Sequence, residues 1–207
     1  MTLKNKLGIE NPVELARLEE KLSKQQAIKL WRGEFFSRHC AGTFETLAAI
    51  HRALFEELYE FAGRLRVENI SNGNFRFASA LYLGEAVASV EKMPQSTFEE
   101  IIEKYVEMNV AHPFREGNGR SGRLWLDHIL KTELGKVVDW SAVDKGEYLK
   151  AMERSPINDA EIKKVLAAAL TDKTDDREIF MKGLDASYFY ENYFAYRSED
   201  LANENDT

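Results

Sequence analysis

The sequence predicts an all-α helical bundle carrying one short β-hairpin. Three observations lead there. Apolar residues recur at spacings of three and four through most of the 207 residues. Helix start and stop signals bracket those stretches, among them Asn11-Pro12, Thr97-x-x-Glu100 and Gly135. The pair Asn72-Gly73 lies between flanks that alternate apolar and basic residues, which is a hairpin pattern.

In chain order, Asn11 and Pro12 read as N-cap and first helical residue of a helix running to about Leu30 or Arg32, with Leu15, Leu18, Leu22 and Ile28 on one stripe. Thr43 starts a second helix, with Phe44, Leu47, Ile50, Leu54 and Leu58 in phase, ending near Gly63. A short hairpin follows from about Val67 to Phe77, the only strands expected, and Ala78 to Met93 is helical again. The capping box Thr97 to Glu100 opens a helix through Ala111. Arg120 to Leu134 resumes the period and stops at Gly135. Further helices fit Lys145 to Arg154 and Asp159 to Leu170, then a polar linker over 171–176 and a last helix from Arg177 to about Phe194. The acidic tail 197–207 is expected to be disordered.

A net charge of -7 and a pI near 5.3 argue against a nucleic-acid backbone as the main partner. One cysteine, Cys40, excludes an internal disulfide and favours a reducing compartment. No apolar run approaches the length of a membrane span, and Met1 to Glu10 lacks a signal-peptide core, so a cytoplasmic protein is expected.

The stretch from His112 to Arg123 carries the chemistry. A helix N-terminus offers free backbone N–H groups to phosphates, and Arg120 and Arg123 flank this one. His112 stands before the turn as a general base. Glu116 is placed to hold magnesium against the same phosphates. Together these residues point to chemistry on a nucleoside triphosphate. Gly117-x-Gly119-x-x-Gly122 matches the dinucleotide fingerprint in letters, but a capped helix precedes it where that fingerprint requires a strand. The Gly-Lys-Ser/Thr of a P-loop and the spacings of a zinc site are missing, and His39, His51 and His128 read as ordinary helix histidines.

His112-Pro113-Phe114-x-Glu116-Gly117-Asn118-Gly119-Arg120-x-x-Arg123 resembles the signature of the Fic family (filamentation induced by cAMP), H-x-F-x-[D/E]-G-N-G-R-x-x-R, with every fixed position filled. The resemblance implies a Fic fold divided into an N-terminal helical extension (1–42), a catalytic core (43–170) and a C-terminal inhibitory helix (177–196). It implies transfer of AMP from ATP to a Ser, Thr or Tyr hydroxyl of a protein. His112 would be the base and Glu116 the magnesium ligand. Gly117, Asn118, Gly119, Arg120 and Arg123 would bind the phosphates, with Phe114 as a buried anchor. Asn72, Lys145 and Asn158 align with nucleotide-contacting positions. The hairpin, through Asn72, Gly73, Asn74 and Phe75, would dock the target by strand addition.

Ser187-x-x-x-Glu191-Asn192 resembles the family's inhibitory motif [S/T]-x-x-x-E-[G/N]. It implies that Glu191 pairs with Arg123 and obstructs the γ-phosphate. Tyr188 and Tyr190 are then candidate self-modification sites. Two other readings use the same residues: a bifunctional enzyme in which Glu191 also serves removal of AMP, and a catalytically silent toxin or adaptor module. The expected partners are ATP and a protein target, without membrane or direct nucleic-acid contact; self-association is left open.

Overall fold

The computed structural model describes residues 2–73 and 75–204, with Glu204 known only in its backbone. Helix α1 (Pro12–Arg32) begins where the Asn11 side chain accepts from the Val13 and Glu14 amides. Its buried face is not the leucine stripe alone. Leu15, Ala27 and Ile28 are buried, but so are Glu19, Glu20, Ser23 and Lys24. Helix α2 (Phe44–Phe55), capped by the Thr43 hydroxyl, packs against α1. A hairpin follows, β1 (Ser71–Asn72) on β2 (Phe75–Arg76), then a 3-10 turn and α3 (Leu83–Glu91).

Helix α4 (Phe98–Ala111) opens on the expected capping box and leads through the signature loop into α5 (Asn118–Leu134). Trp125, Leu126, Ile129 and Leu130 of α5 have no exposed surface, nor do Ile101 and Ile102 of α4 or Ile50 of α2. Burying each such side chain contributes about 2 kcal/mol, so the loop hangs between two of the most deeply buried helices.

After α5 come β3 (Val137–Val138), α6 (Lys145–Arg154), α7 (Ala160–Ala168), β4 (Leu170–Thr171), α8 (Arg177–Tyr190) and α9 (Ser198–Glu204). Three expectations are corrected. The strands β3 and β4 form a second antiparallel pair, Val137 opposite Thr171 and Val138 opposite Leu170. Two-residue strands joined across a helical crossover leave no alternation to read. The helix from Arg177 stops at Tyr190 instead of near Phe194. Asn192 turns left-handed at φ 67, its N–H donates to the Phe189 carbonyl, and the Tyr193 N–H donates to Tyr188, which is a Schellman stop. The tail is not disordered over 198–204: α9 buries Leu201 and Ala202 and packs on α1, while 205–207 lie outside the described residues. Two buried apolar residues suffice there because the Asp185 carboxylate accepts from both the N–H and the hydroxyl of Ser198 and fixes the helix start. No helix among the described residues is long and apolar enough to cross a membrane.

Candidate active site

His112 ends α4 in a left-handed conformation, φ 50 and ψ 64, which non-glycine residues adopt at a cost. Arg66 holds it there. That guanidinium, only 4% exposed, donates to the carbonyls of Glu68, Ala78, Ala111 and His112, while the Arg66 N–H donates to Pro113. One side chain therefore joins the signature loop to both ends of the hairpin segment. Nothing in the sequence distinguishes Arg66 from any basic residue flanking a strand, because its partners are all backbone.

The His112 ring stacks on Phe77 at 3.7 Å. Its Nδ1 lies 3.2 Å from the Asn109 carbonyl. A carbonyl only accepts, so Nδ1 carries the proton and Nε2 is left with its lone pair. Burial lowers the pKa of His112 from 6.5 to about 4; the Asn109 carbonyl and Glu191 offset part of that fall, and Arg66 adds to it. The imidazole is neutral at pH 7, the form a base requires.

The turn itself is stapled by Asn118. Its side-chain oxygen accepts from the Phe114 N–H and its amide donates to the Phe114 carbonyl, both at 2.8 Å. One amide N–H is thus committed to the loop and one is left for a ligand. Phe114 is fully buried against His51, ring to ring at 3.8 Å. His51 in turn accepts from the Gly63 N–H at Nδ1, so its Nε2 carries a proton, which it donates to the Glu116 carbonyl at 2.8 Å. Burial drives the His51 pKa to about 3, with Arg120 lowering it and the Glu116 bond opposing. His51 is thus a neutral core histidine with both ring nitrogens satisfied, which serves as a strut under the loop. A lone histidine in a helical pattern gave no sign of it.

Gly117 has φ 76, and a Cβ there would lie 2.4 Å from the Phe55 ring. Gly117→Ala is expected to lose about 2 kcal/mol or more of folding stability, from the left-handed backbone and the overpacked ring together. Urea unfolding measures this, and a wild-type midpoint would contradict it. No side chain caps α5 at Gly117, so its first-turn N–H groups remain available for an anion.

Arg120 is 1% exposed. It pairs with Glu19 at 2.6 Å, Glu116 at 3.1 Å and Glu191 at 2.7 Å, and lies over the rings of Phe55 and Tyr193. Arg123 donates to the Ser187 hydroxyl at 2.6 Å, the Ser187 carbonyl at 2.8 Å and Glu191 at 2.7 Å. Burial would lower both arginine pKa values, but Glu191 raises them and both stay charged. For Glu191 itself, burial raises the pKa, while Arg120 and Arg123 more than offset this and hold the carboxyl below its ordinary value. A Cβ on Gly119 would lie 2.4 Å from the Glu191 carboxylate, so this glycine makes room for that group.

Ser187 and Glu191 are one turn apart on α8, and Asn192 supplies the left-handed stop that leaves Glu191 as the C-cap. Lys145 donates to Asn192 and to the Phe189 carbonyl. It binds the end of α8, on either side of Glu191 in the chain. Asn158 is exposed in the turn between α6 and α7, where its side chain accepts from Ala160. Asn72 pairs with Phe75 inside the hairpin, because Gly73 at φ 57 takes the positive-φ turn position; Asn74 lies outside the described residues. Tyr188 is 1% exposed, and Tyr190 is 4% exposed with its hydroxyl against the Trp140 and Val143 carbonyls. Neither hydroxyl is open to self-modification in this conformation, because the aromatic face that docks α8 buries both.

Among the described residues no three His, Cys, Asp or Glu side chains gather as a metal cage. Glu116 nonetheless fits a magnesium ion carried with phosphates. Its side chain is 41% exposed, only Oε1 is engaged, by Gly117 N–H and Arg120, and such an ion needs one or two carboxylates besides phosphate and water.

Comparison with known proteins agrees with this arrangement. The chain is 27% identical over 189 residues to protein adenylyltransferase VbhT of Bartonella schoenbuchensis, covering 84% of this chain but 38% of that protein. It is 26% identical over 168 residues to a probable protein adenylyltransferase Fic of Salmonella typhimurium, covering 76% and 81%. The BepC protein of Bartonella tribocorum with bound AMPPNP superposes with a TM-score of 0.66 at 22% identity, over 83% of this chain and 93% of that one. The N-terminal Fic domain of a Bartonella quintana cell filamentation protein with bound ADP gives 0.70 at 21%, over 86% and 94%. The model of the Fic/DOC family matches residues 42–130. Residues 42–130 are thus a Fic/DOC-type domain.

Proposed function

We propose that this chain transfers AMP from ATP to a Ser, Thr or Tyr hydroxyl of a protein, and that Glu191 restrains the transfer. One observation carries the reading: a neutral histidine with a free Nε2 lies beside an uncapped helix N-terminus whose two arginines are held by a single carboxylate. The names of the relatives support it.

In the proposed reaction the target hydroxyl attacks the α-phosphorus. Its oxygen forms the new P–O bond, its proton passes to His112 Nε2, and the bond to pyrophosphate breaks. The first-turn N–H groups of α5 and the remaining Asn118 N–H bind phosphate oxygens, and Arg123 binds the γ-phosphate once Glu191 leaves it. Arg120, enclosed by Glu19 and aromatic rings, serves mainly as fixed positive charge beneath the phosphates. Magnesium, when held by Glu116 with the nucleotide, neutralises phosphate charge. The target backbone adds to the open edge of the hairpin, above His112 and Phe77. The single cysteine suits action in the cytoplasm.

The test uses the Glu191→Gly protein with cell lysate and ATP labelled at either the α- or the γ-phosphate. Protein-bound label from the α-position alone supports the proposal. Label from the γ-position would instead mean phosphoryl transfer.

A further inference from the structure

The segment after Glu191 is fastened by α1. Glu20 accepts from the Ala195 N–H at 2.8 Å and the Tyr196 N–H at 3.2 Å. Lys24 donates to the Tyr196 carbonyl at 2.7 Å and to Asp185 of α8 at 2.9 Å, and lies 3.1 Å from Glu20. The same Asp185 oxygen accepts from Ser198 at the start of α9. Glu19 adds a bond from the Tyr193 hydroxyl while pairing with Arg120. Lys24 is 1% exposed and Glu20 is 1% exposed.

A lysine and a glutamate are seldom taken wholly out of water, because the lost hydration must be returned by partners. Here, apart from each other, their partners are not on α1 or its neighbour α2. They are the backbone of 195–196 and a side chain of α8, which bracket Glu191 in the chain. The closed conformation therefore satisfies these two charges. Moving the 193–198 segment would cost Glu20 both of its backbone donors and Lys24 the Tyr196 carbonyl, leaving the buried pair only partly satisfied.

We infer that Lys24 and Glu20 are positioning residues for Glu191: helix α1 ties down the chain on both sides of it and so keeps its carboxylate on Arg123. The inference rests on the restraint proposed above and extends it to the N-terminal helix. Movement of α1, or a partner that engages it, would loosen Glu191 without touching the phosphate site.

The experiment compares the full chain with Lys24→Met, and with Asp185→Asn should the first fail to fold. Two readouts are taken: amide hydrogen exchange over 193–204 and the AMP-transfer rate. Exchange over 193–204 is expected to speed at least tenfold, and transfer to rise at least threefold. Added to Glu191→Gly, the same substitution should give no further rise, since the group being positioned is gone. Exchange does not depend on catalysis, so unchanged exchange in a folded variant overturns the tether even if the restraint reading fails. Faster exchange with wild-type transfer overturns its link to Glu191, provided Glu191→Gly itself is faster than wild type. An equal rise in the Glu191→Gly background would overturn it too.

Discussion

Glu191→Gly is expected to transfer AMP at least tenfold faster than wild type with ATP and magnesium saturating. The carboxylate occupies the Arg123 donor proposed for the γ-phosphate, at 2.7 Å, and contacts Arg120 at the same distance. Two negative groups cannot share those donors without displacing one, so under the proposed restraint bound ATP would sit out of line for attack. Tenfold requires only about 1.4 kcal/mol of relieved inhibition, and a coupling of about 3 kcal/mol would give roughly 150-fold. The substitution leaves the rest of the anchor intact. The helix stop belongs to Asn192, and α8 stays docked through Tyr190 and Lys145. Without nucleotide the variant should also be less stable, since Arg123 loses its charged partner while still buried. Equal transfer rates for the two proteins would reduce Glu191 to a packing residue.

His112 carries the second large effect. His112→Ala is expected to lower transfer by about a hundredfold or more while ATP binding persists, because a positioned base contributes about 10²–10⁴ and the phosphate-binding groups lie on α5. Alanine tolerates the left-handed backbone poorly, so His112→Asn is the companion variant: asparagine adopts that conformation more readily and supplies no base. Both should lose activity alike. The pH profile gives a further check. Burial holds His112 neutral below its ordinary pKa, down to about 4, so the acid limb of transfer should lie well below 6.5. Glu191 raises that pKa, so its removal moves the limb lower still. A limb at 6.5, or full activity in either variant, would remove His112 from the role of base.

The legible parts of this protein were those written in adjacent residues. Capping boxes, glycine stops and the twelve-residue signature are local, and α4, α5 and the loop between them followed from them. Ser187, Glu191 and Asn192 were legible for the same reason, and the Schellman stop shows why asparagine suits the position after the glutamate. What lay hidden depends on distant partners. Arg66 and His51 act on backbone carbonyls, which leave no residue pattern. The leucine stripe of α1 does pack on the core, but Glu20 and Lys24 are buried beside it through bonds to residues about 170 positions away, which no local pattern shows. Lys145 and Asn158 were placed by the family resemblance alone; Lys145 lies at the end of α8 beside Glu191 and Asn158 in an exposed turn.

The most direct measurement is the affinity of wild type and Glu191→Gly for ATP and for ADP by titration calorimetry. The two nucleotides differ by the γ-phosphate, the group for which Glu191 is held to compete. The ratio of the ADP to the ATP dissociation constant should be near one in wild type and rise at least fivefold in Glu191→Gly, where Arg123 is free to bind the extra phosphate. The same ratio in both proteins would contradict competition between Glu191 and the γ-phosphate for Arg123.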